Sequence, residues 1–526
     1  MEITIVLTKR KIISFLLLCG LLTFCTIAVI RSLHKDIEDP FAPLAGGNIE
    51  AMFYVEESGG RTCIGDGIIN NSSDILYNES AVKAAIVSAP DYSSYLPSNM
   101  TIKWTSIRNS ASGVMVIGSV TSIDAVDEAK YSVRQFGAIG DGVTDDTLAF
   151  KAALKKAAGG ELYIPAGKYL ITSVLSIPSD IKVYGDGENS IIIACAGYAK
   201  GADLLKIYNR TNVTLNKICL SGNSAINDHS KGYNDRDGIH LLDIWSSSNV
   251  SITECSFVDN IYCAVRMILD CNNMYYANCK FLDVDCGISA LGSGSIDTLT
   301  VENCYFDGHK NSESISLFGQ GHYSNIVIDN NTIKNKYQGH GIYAGANKGT
   351  VSNLTVSNNK LFDDCVGITI GNAQSVKVFN NSFIIEKPDA VDSGKAFEIK
   401  NCSDISIYKN TITNSRMQGL WINGCSNAKV YGNVLTDCGY LSKDHHFLDV
   451  RGECSGIEIY DNQLIRNDTT LSPYTFVSHS TGDVTLKDNT ISNGKILLYT
   501  DSAGMTIQGN DAPITDMSGK KHTIIK

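Results

Sequence analysis

The sequence lacks a basic excess: 44 Lys and Arg stand against 55 Asp and Glu, a formal net charge of −11. No stripe of cations is present to neutralise phosphates, which argues against nucleic acid as a partner. The 16 cysteines include no CxxC pair and no Cys/His spacing of the zinc type, so no zinc site is expected. The chain also lacks the signature of a propeller or a helical array, because its repeats are too short for the first and too rich in β-branched residues for the second.

What it has is a ladder. Ser324-Asn-Ile-Val-Ile-Asp-Asn-Asn-Thr-Ile333 is answered by Ser352-Asn-Leu-Thr-Val-Ser-Asn-Asn-Lys-Leu361 and by Gln374-Ser-Val-Lys-Val-Phe-Asn-Asn-Ser-Phe383. Terminal hydrophobes from Phe257 to Ile491 recur every 22–29 residues or about that, which is a solenoid period. Within each unit the apolar positions alternate, as in Val376-Lys-Val378, which is strand periodicity. Each unit therefore reads as one coil of a parallel β-helix of about 11–13 coils. Asn331, Asn359, Asn381, Asn410, Asn433, Asn462 and Asn489 sit two residues before the anchors, where stacked amides can bond along the axis. Cys255, Cys279 and Cys304 fill the same slot upstream, and Cys402, Cys425 and Cys454 form a second column. Both columns read as buried thiols.

Residues Ile12 to Ile30 form an apolar run long enough to cross a bilayer, preceded by Lys9, Arg10 and Lys11. No Ala-x-Ala site follows it, so a signal anchor is expected rather than a cleaved signal peptide. The expected organisation is a cytoplasmic tail (1–11), a transmembrane signal anchor (12–30), a stalk or small N-terminal domain (31–128), the β-helix (129–512) and a C-terminal tail (513–526). The β-helix would then lie outside the cytoplasm, tethered to the membrane, or be secreted if the run is cleaved.

The segment Tyr131-Ser-Val-Arg-Gln-Phe-Gly-Ala-Ile-Gly-Asp-Gly-Val-Thr-Asp-Asp-Thr-Leu-Ala-Phe150, followed by Gly159-Gly-Glu-Leu-Tyr-Ile-Pro-Ala-Gly-Lys-Tyr-Leu170, reads as strand, glycine turn, capped helix and strand. Thr144 or Asp145 can cap the helix, and Leu148, Ala152 and Leu154 to Ala157 can cover the open end of a solenoid. This opening closely resembles that of the pectate-lyase-like superfamily, which includes polygalacturonases, rhamnogalacturonases, uronan epimerases and phage tailspike depolymerases. The resemblance implies an all-β, right-handed parallel β-helix with an N-terminal capping helix. It treats Asp141, Asp145 and Asp146 as structural.

Two phrases resemble polygalacturonase motifs: Asp235-Arg-Asp-Gly-Ile-His-Leu241 and Gly339-His-Gly-Ile-Tyr-Ala-Gly345. In that family they lie about two coils apart with a double Asp between. Here several coils separate them, Glu313 stands where an Asp is expected, and Glu398-Ile-Lys400 is a poor match to the Arg-x-Lys element. A standard polygalacturonase is therefore not expected.

One strand per coil aligns by an inward pair, from Ile239/Leu241 to Leu448/Val450, and residues between these pairs point outward. The central outward column is then His240, Arg266, Ser289, Ser316, Tyr343, Thr369, Glu398, Trp421 and Asp449, and a flanking column includes Asp237, Glu313, His340, Lys395, Gln418 and His446. Two clusters follow. In the first, Glu313 and His340 form an acid/base pair, Tyr343 exchanges a proton and Arg266 neutralises a uronate carboxylate. The second contains Glu398, His446, Asp449 and Arg451, with the two carboxylates ~10 Å apart, near the upper limit for an inverting glycosidase. Asp237, His240, Lys400 and Trp421 are candidate substrate contacts, Trp421 as a stacking face. Asp283, Asp285, Asp363 and Asp364 are candidate calcium ligands. The expected function is an enzyme acting on an acidic polysaccharide as hydrolase, lyase or C5-epimerase. The alternative is a non-catalytic glycan-binding or adhesin-like surface protein. Tailspike relatives include trimers, which makes a homotrimer a candidate assembly.

Overall fold

The computed structural model describes residues 131–525 apart from residues 200, 228–238, 309–311, 335–338, 347, 363–365 and 387–393. Before residue 131 it describes strands by their backbone alone. The chain divides into two compact units, one of Met1–Ile171 with Asp180–Ser190 and one of Thr172–Ser179 with Ile191–Lys526.

In the first unit, Glu2–Val6 pairs antiparallel with Asn48–Glu57 and with Val114–Asp124. Lys130–Ser132, Glu161–Ile164 and Ile181–Gly185 pair in parallel. A helix runs Thr147–Lys156 and buries Ala149, Phe150, Ala153 and Leu154. The expected stripe is buried only in part: Leu154 and Ala157 are buried, but Leu148 and Ala152 face solvent. Phe150 takes part in the buried face instead, packing edge-on against Tyr169 with centroids 5.2 Å apart. The three aspartates of the opening motif serve the backbone. Asp141 accepts from the Val143 and Thr144 amides at 2.8 and 2.7 Å, Asp145 from the Thr147 amide at 3.0 Å, and Asp146 from Ile139 and Gly140 at 2.6 and 3.1 Å. The residue at the helix N-terminus is Asp146, and its side chain makes no capping bond. Of the two expected capping residues, Asp145 binds the first helical amide, while Thr144 Oγ1 donates to Asp141 at 2.8 Å.

The second unit is coiled strand on strand. The fold is an all-β, right-handed parallel β-solenoid of about 12 turns. The asparagine ladder runs through it as a continuous chain of amides. Asn331 Nδ2 donates to Asn359 Oδ1 at 2.9 Å, and the bond repeats through Asn381, Asn410, Asn433, Asn462 and Asn489 to Asn510. The residue before each rung bends the chain in the left-handed region, with φ of 52°, 57° and 55° at Asn330, Asn358 and Asn380. Asparagine tolerates that region better than other side chains with a Cβ, which explains the Asn-Asn pairs of the repeat. Upstream the rungs become Cys304, Cys279 and Cys255, all buried free thiols. Inside, Phe257, Phe281 and Phe306 stack at 4.9 and 4.5 Å.

No helix among the described residues is long and apolar enough to cross a membrane. The expected span at 12–30 lies outside the described residues.

Candidate functional site

One sheet of the second unit carries the expected outward column. Arg266, Ser289, Ser316, Tyr343, Thr369, Glu398, Trp421 and Asp449 are successive partners in its parallel register. The expectation fails at the first coil. Arg266 pairs with Asp243, and Asp243 with Lys206, whereas His240 pairs with Asp203. Ile239 to Ile244 are all buried, so alternation gives no unique inward pair there, and the alignment slips by three residues.

The slip changes the role of Arg266. Its Nε and Nη2 bind Asp243 at 2.8 and 3.0 Å, and Trp245 Nε1 also donates to Asp243. His240 Nδ1 meets Asp203 at 3.1 Å, and Arg266 Nη2 lies 3.7 Å from the same carboxylate. His240, Asp243 and Asp203 are buried. Arg266 is thus the counter-ion of a buried network, three coils or ~14 Å from Tyr343, and not a free contact for a uronate. His240, expected on the surface, is buried in that network. Asp237 lies outside the described residues, as do Asp363 and Asp364.

Glu313, His340 and Tyr343 do meet. His340 Nδ1 lies 3.4 Å from Glu313 Oε1, and Ser312 Oγ donates to Glu313 Oε2 at 2.8 Å. Burial would raise the Glu313 carboxyl, but the bonds from His340 and Ser312 outweigh it and hold it down at about 2. Tyr343 sits edge-on to His340 at 5.0 Å and to Phe318 at 5.6 Å. Burial pushes its hydroxyl up, and Glu313 and Glu398 push it further. Tyr343 thus feels both carboxylates, which joins the two expected clusters into one stripe.

Beside that stripe, Gly345 and Gly371 are neighbours in register, followed by Lys400, Asn423, Arg451 and His479. A Cβ on Gly345 would lie 3.1 Å from the Tyr343 hydroxyl, and one on Gly371 would lie 3.3 Å from Lys400 Cε. Tyr343 and Lys400 therefore lie across a floor of two glycines. Thr369 lies between Tyr343 and Glu398 in the row, fully buried, with an Oγ1 that has no hydrogen-bond partner. The two glycines follow equivalent inward pairs, Ile342/Ala344 and Ile368/Ile370, and that repeat is the signal that marks them in the sequence.

The other expected residues are engaged with one another. Glu398 accepts from Lys395 at 3.3 Å and lies 3.7 Å from Lys400. Lys395 Nζ sits 4.2 Å from the centroid of the Trp421 ring, so a cation already occupies one face of the expected sugar platform. Asp449 is fully buried and holds Arg451 Nε and Nη2 at 3.0 and 2.8 Å. His446 is buried against the Tyr474 carbonyl at 3.1 Å and Ser472 Oγ at 3.3 Å. Burial pulls its imidazole down to about 4. Among the described residues no group of three or more His, Cys, Asp or Glu side chains is placed to hold a metal ion.

A parallel β-helix with an outward row of polar, titratable side chains defines a class, and the sequence comparisons agree with it. Residues 131–387 match the family described as rhamnogalacturonase A/epimerase, pectate lyase-like, and residues 380–512 match the right handed beta helix region. The chain belongs to the pectate-lyase-like superfamily of right-handed parallel β-helix proteins. It is 30% identical over 204 residues to the pre-neck appendage protein of Bacillus phage phi29, covering 35% of this chain and 21% of that one. It is 40% identical over 73 residues to mannuronan C5-epimerase AlgE2 of Azotobacter vinelandii, covering 12% of this chain and 7% of that one. The chain thus spans well under a third of the length of these curated relatives. Similar solved structures include the A-module of the Azotobacter vinelandii mannuronan C-5 epimerase AlgE6, at 14% identity, 75% and 98% coverage and a TM-score of 0.42. They also include the Yersinia enterocolitica family 28 exopolygalacturonase, at 12% identity, 92% and 97% coverage and a TM-score of 0.40.

Proposed function

We propose that this chain is a carbohydrate-active enzyme that removes the C5 proton of a uronate in an acidic polysaccharide. The observation that carries this is the Glu313–His340 hydrogen bond beside Tyr343, at the edge of the glycine floor. Glu313 stays ionised and fixes the imidazole through Nδ1, which leaves Nε2 as the nitrogen that takes the proton. The electron pair released at C5 passes into the adjacent carboxylate, and Lys400, lying over Gly371, neutralises that charge. Tyr343, with its hydroxyl pushed up, remains protonated at neutral pH and supplies a proton. Delivered to the opposite face of C5, that proton gives epimerisation. Delivered to the C4 oxygen as the C4–O bond breaks, it gives β-elimination. Hydrolysis is less well supported, because Glu398 and Asp449 both face cations and one carboxyl of a hydrolytic pair has to act as an acid.

The test is incubation of the full chain with a panel of uronate polysaccharides in D2O. Deuterium at C5 signifies epimerisation, and ultraviolet absorbance with new chain ends signifies elimination. New reducing ends without either transfer the reading to hydrolysis. Glu313→Gln and His340→Ala are each expected to lower the rate by about 10²–10⁴-fold while the protein stays folded; unchanged rates in both would overturn the assignment.

A second reading is a non-catalytic glycan-binding surface protein. It is supported by the match to a phage appendage protein and by the occupation of Arg266 within a buried network. Binding of uronan with no chemistry in any of the three readouts would select it.

The membrane anchor at 12–30, with the β-helix outside the cytoplasm, rests on the apolar run and its basic flank. It requires Glu2–Val6 to leave its pairing with Asn48–Glu57. Protease protection of an N-terminal tag in intact cells, with the β-helix digested, is the expected result. Digestion of both would remove the anchor.

A further inference from the structure

The row that begins at the glycine floor continues as Lys400, Asn423, Arg451 and His479, one residue per coil. Lys400 and Arg451 are each 37% exposed at the side chain and stand two coils apart, ~10 Å along the axis. The residue between them is a neutral amide. Arg451 is also built into place: the fully buried Asp449 takes its Nε and Nη2, and Gln418 Nε2 approaches the same carboxylate oxygen at 3.5 Å. This fixes the guanidinium plane and leaves Nη1 for another acceptor. Upstream of the floor the row changes character, with Leu291, Ile268 and the exposed Phe318 in place of cations.

A pyranose in an extended chain advances by nearly the height of one coil. In an extended uronan with a twofold repeat, successive carboxylates project to opposite edges, so those on one edge recur every second sugar. We infer that Lys400 and Arg451 form a carboxylate-reading strip that binds alternate uronates of a chain lying along the solenoid axis. This rests on the acidic-polysaccharide reading above and adds register to it. The strip lies only on the C-terminal side of the catalytic trio, and Asn423 faces the intervening sugar, whose carboxylate points away. Lys400 reads the sugar undergoing chemistry. Arg451, two coils beyond Lys400, reads the second sugar past it.

The proposal is tested by measuring affinities of the full chain for uronan dimers, hexamers and polymer, with neutral glucan of equal length as control. Wild type is expected to bind the hexamer at least about tenfold more tightly than the dimer, which cannot span the two coils from Lys400 to Arg451, the contribution of one charge-assisted hydrogen bond. Arg451→Gln should erase that step while moving dimer affinity less than about twofold, and Arg451→Lys should restore part of it. A polymer alternating uronate with a neutral sugar should bind as tightly as the homopolymer, because only every second carboxylate is read. Because Arg451→Gln strands the buried Asp449, thermal unfolding is recorded alongside. If that variant unfolds, the alternating polymer on wild type decides alone. Equal losses on dimer and hexamer, or weak binding of the alternating polymer, overturns the strip while leaving the uronate reading intact. No binding of any uronan by wild type overturns both.

Discussion

Arg266 and Asp243 face each other across adjacent coils, Nε to Oδ1 at 2.8 Å and Nη2 to Oδ2 at 3.0 Å, with the aspartate fully buried. The pair fills a position in the outward row where open chemistry was expected. Burial would pull the guanidinium down, but the bonds and charge of Asp243 and the charge of Asp203 outweigh it and push Arg266 up. Removing one partner leaves the other charge buried without compensation. Arg266→Ala is therefore expected to lower the unfolding free energy by about 3–5 kcal/mol in urea denaturation. A large change in KM with unchanged stability would return Arg266 to the substrate.

His446 gives a pH dependence whose sign follows from burial. Its folded value is lowered to about 4, while the unfolded imidazole keeps its ordinary value near 6.5. Between these values the unfolded chain binds a proton that the folded chain does not. Stability present above about 6.5 is therefore lost as the pH falls towards 4, by about 3 kcal/mol in total. Denaturation at pH 7.5 and 4.5 is expected to show this loss, and His446→Gln to remove that part of it. A variant with the wild-type slope would place the cause in other groups.

The amide ladder predicts a cost for each rung. Asn410 accepts from the backbone and side chain of Asn381 at 2.9 and 3.0 Å and donates to the Val378 carbonyl at 2.9 Å. Asn410→Leu strands all of these buried groups, each worth about 1–3 kcal/mol when unsatisfied. A loss of at least about 2 kcal/mol is expected by denaturant titration. A neutral outcome would mean that solvent satisfies the rung.

Gly371 and Gly367 share a strand and should respond in opposite ways. A Cβ at Gly367 would meet the Ala396 carbonyl at 2.4 Å and Phe383 at 2.6 Å, both fixed, so Gly367→Ala should unfold the protein or lower its Tm sharply. A Cβ at Gly371 meets only the flexible stem of Lys400, at 3.3 Å and beyond. Gly371→Ala should keep the fold and displace Lys400, lowering turnover on uronan while Tm stays near wild type. Wild-type turnover in that variant would separate Lys400 from the chemistry.

The sequence by itself determined the coil, because a repeat of alternating apolar residues ended by Asn-Asn has one physical solution: inward pairs, a left-handed bend and a stacked amide. It also determined most of the outward row, from Arg266 to Asp449, because each of those strands has one clear inward pair. It brought Glu313 beside His340 for the same reason. Tertiary structure decided the rest. The strand at His240–Trp245 is buried on both faces, so only pairing with Asp203–Tyr208 could set its register. Which groups are consumed by partners, as Arg266 is by Asp243 and His240 by Asp203, depends on contacts between coils more than twenty residues apart. The glycine floor acquires meaning only when Tyr343 and Lys400 are seen to lie across it, since side-chain direction along the axis is not encoded by a period of two.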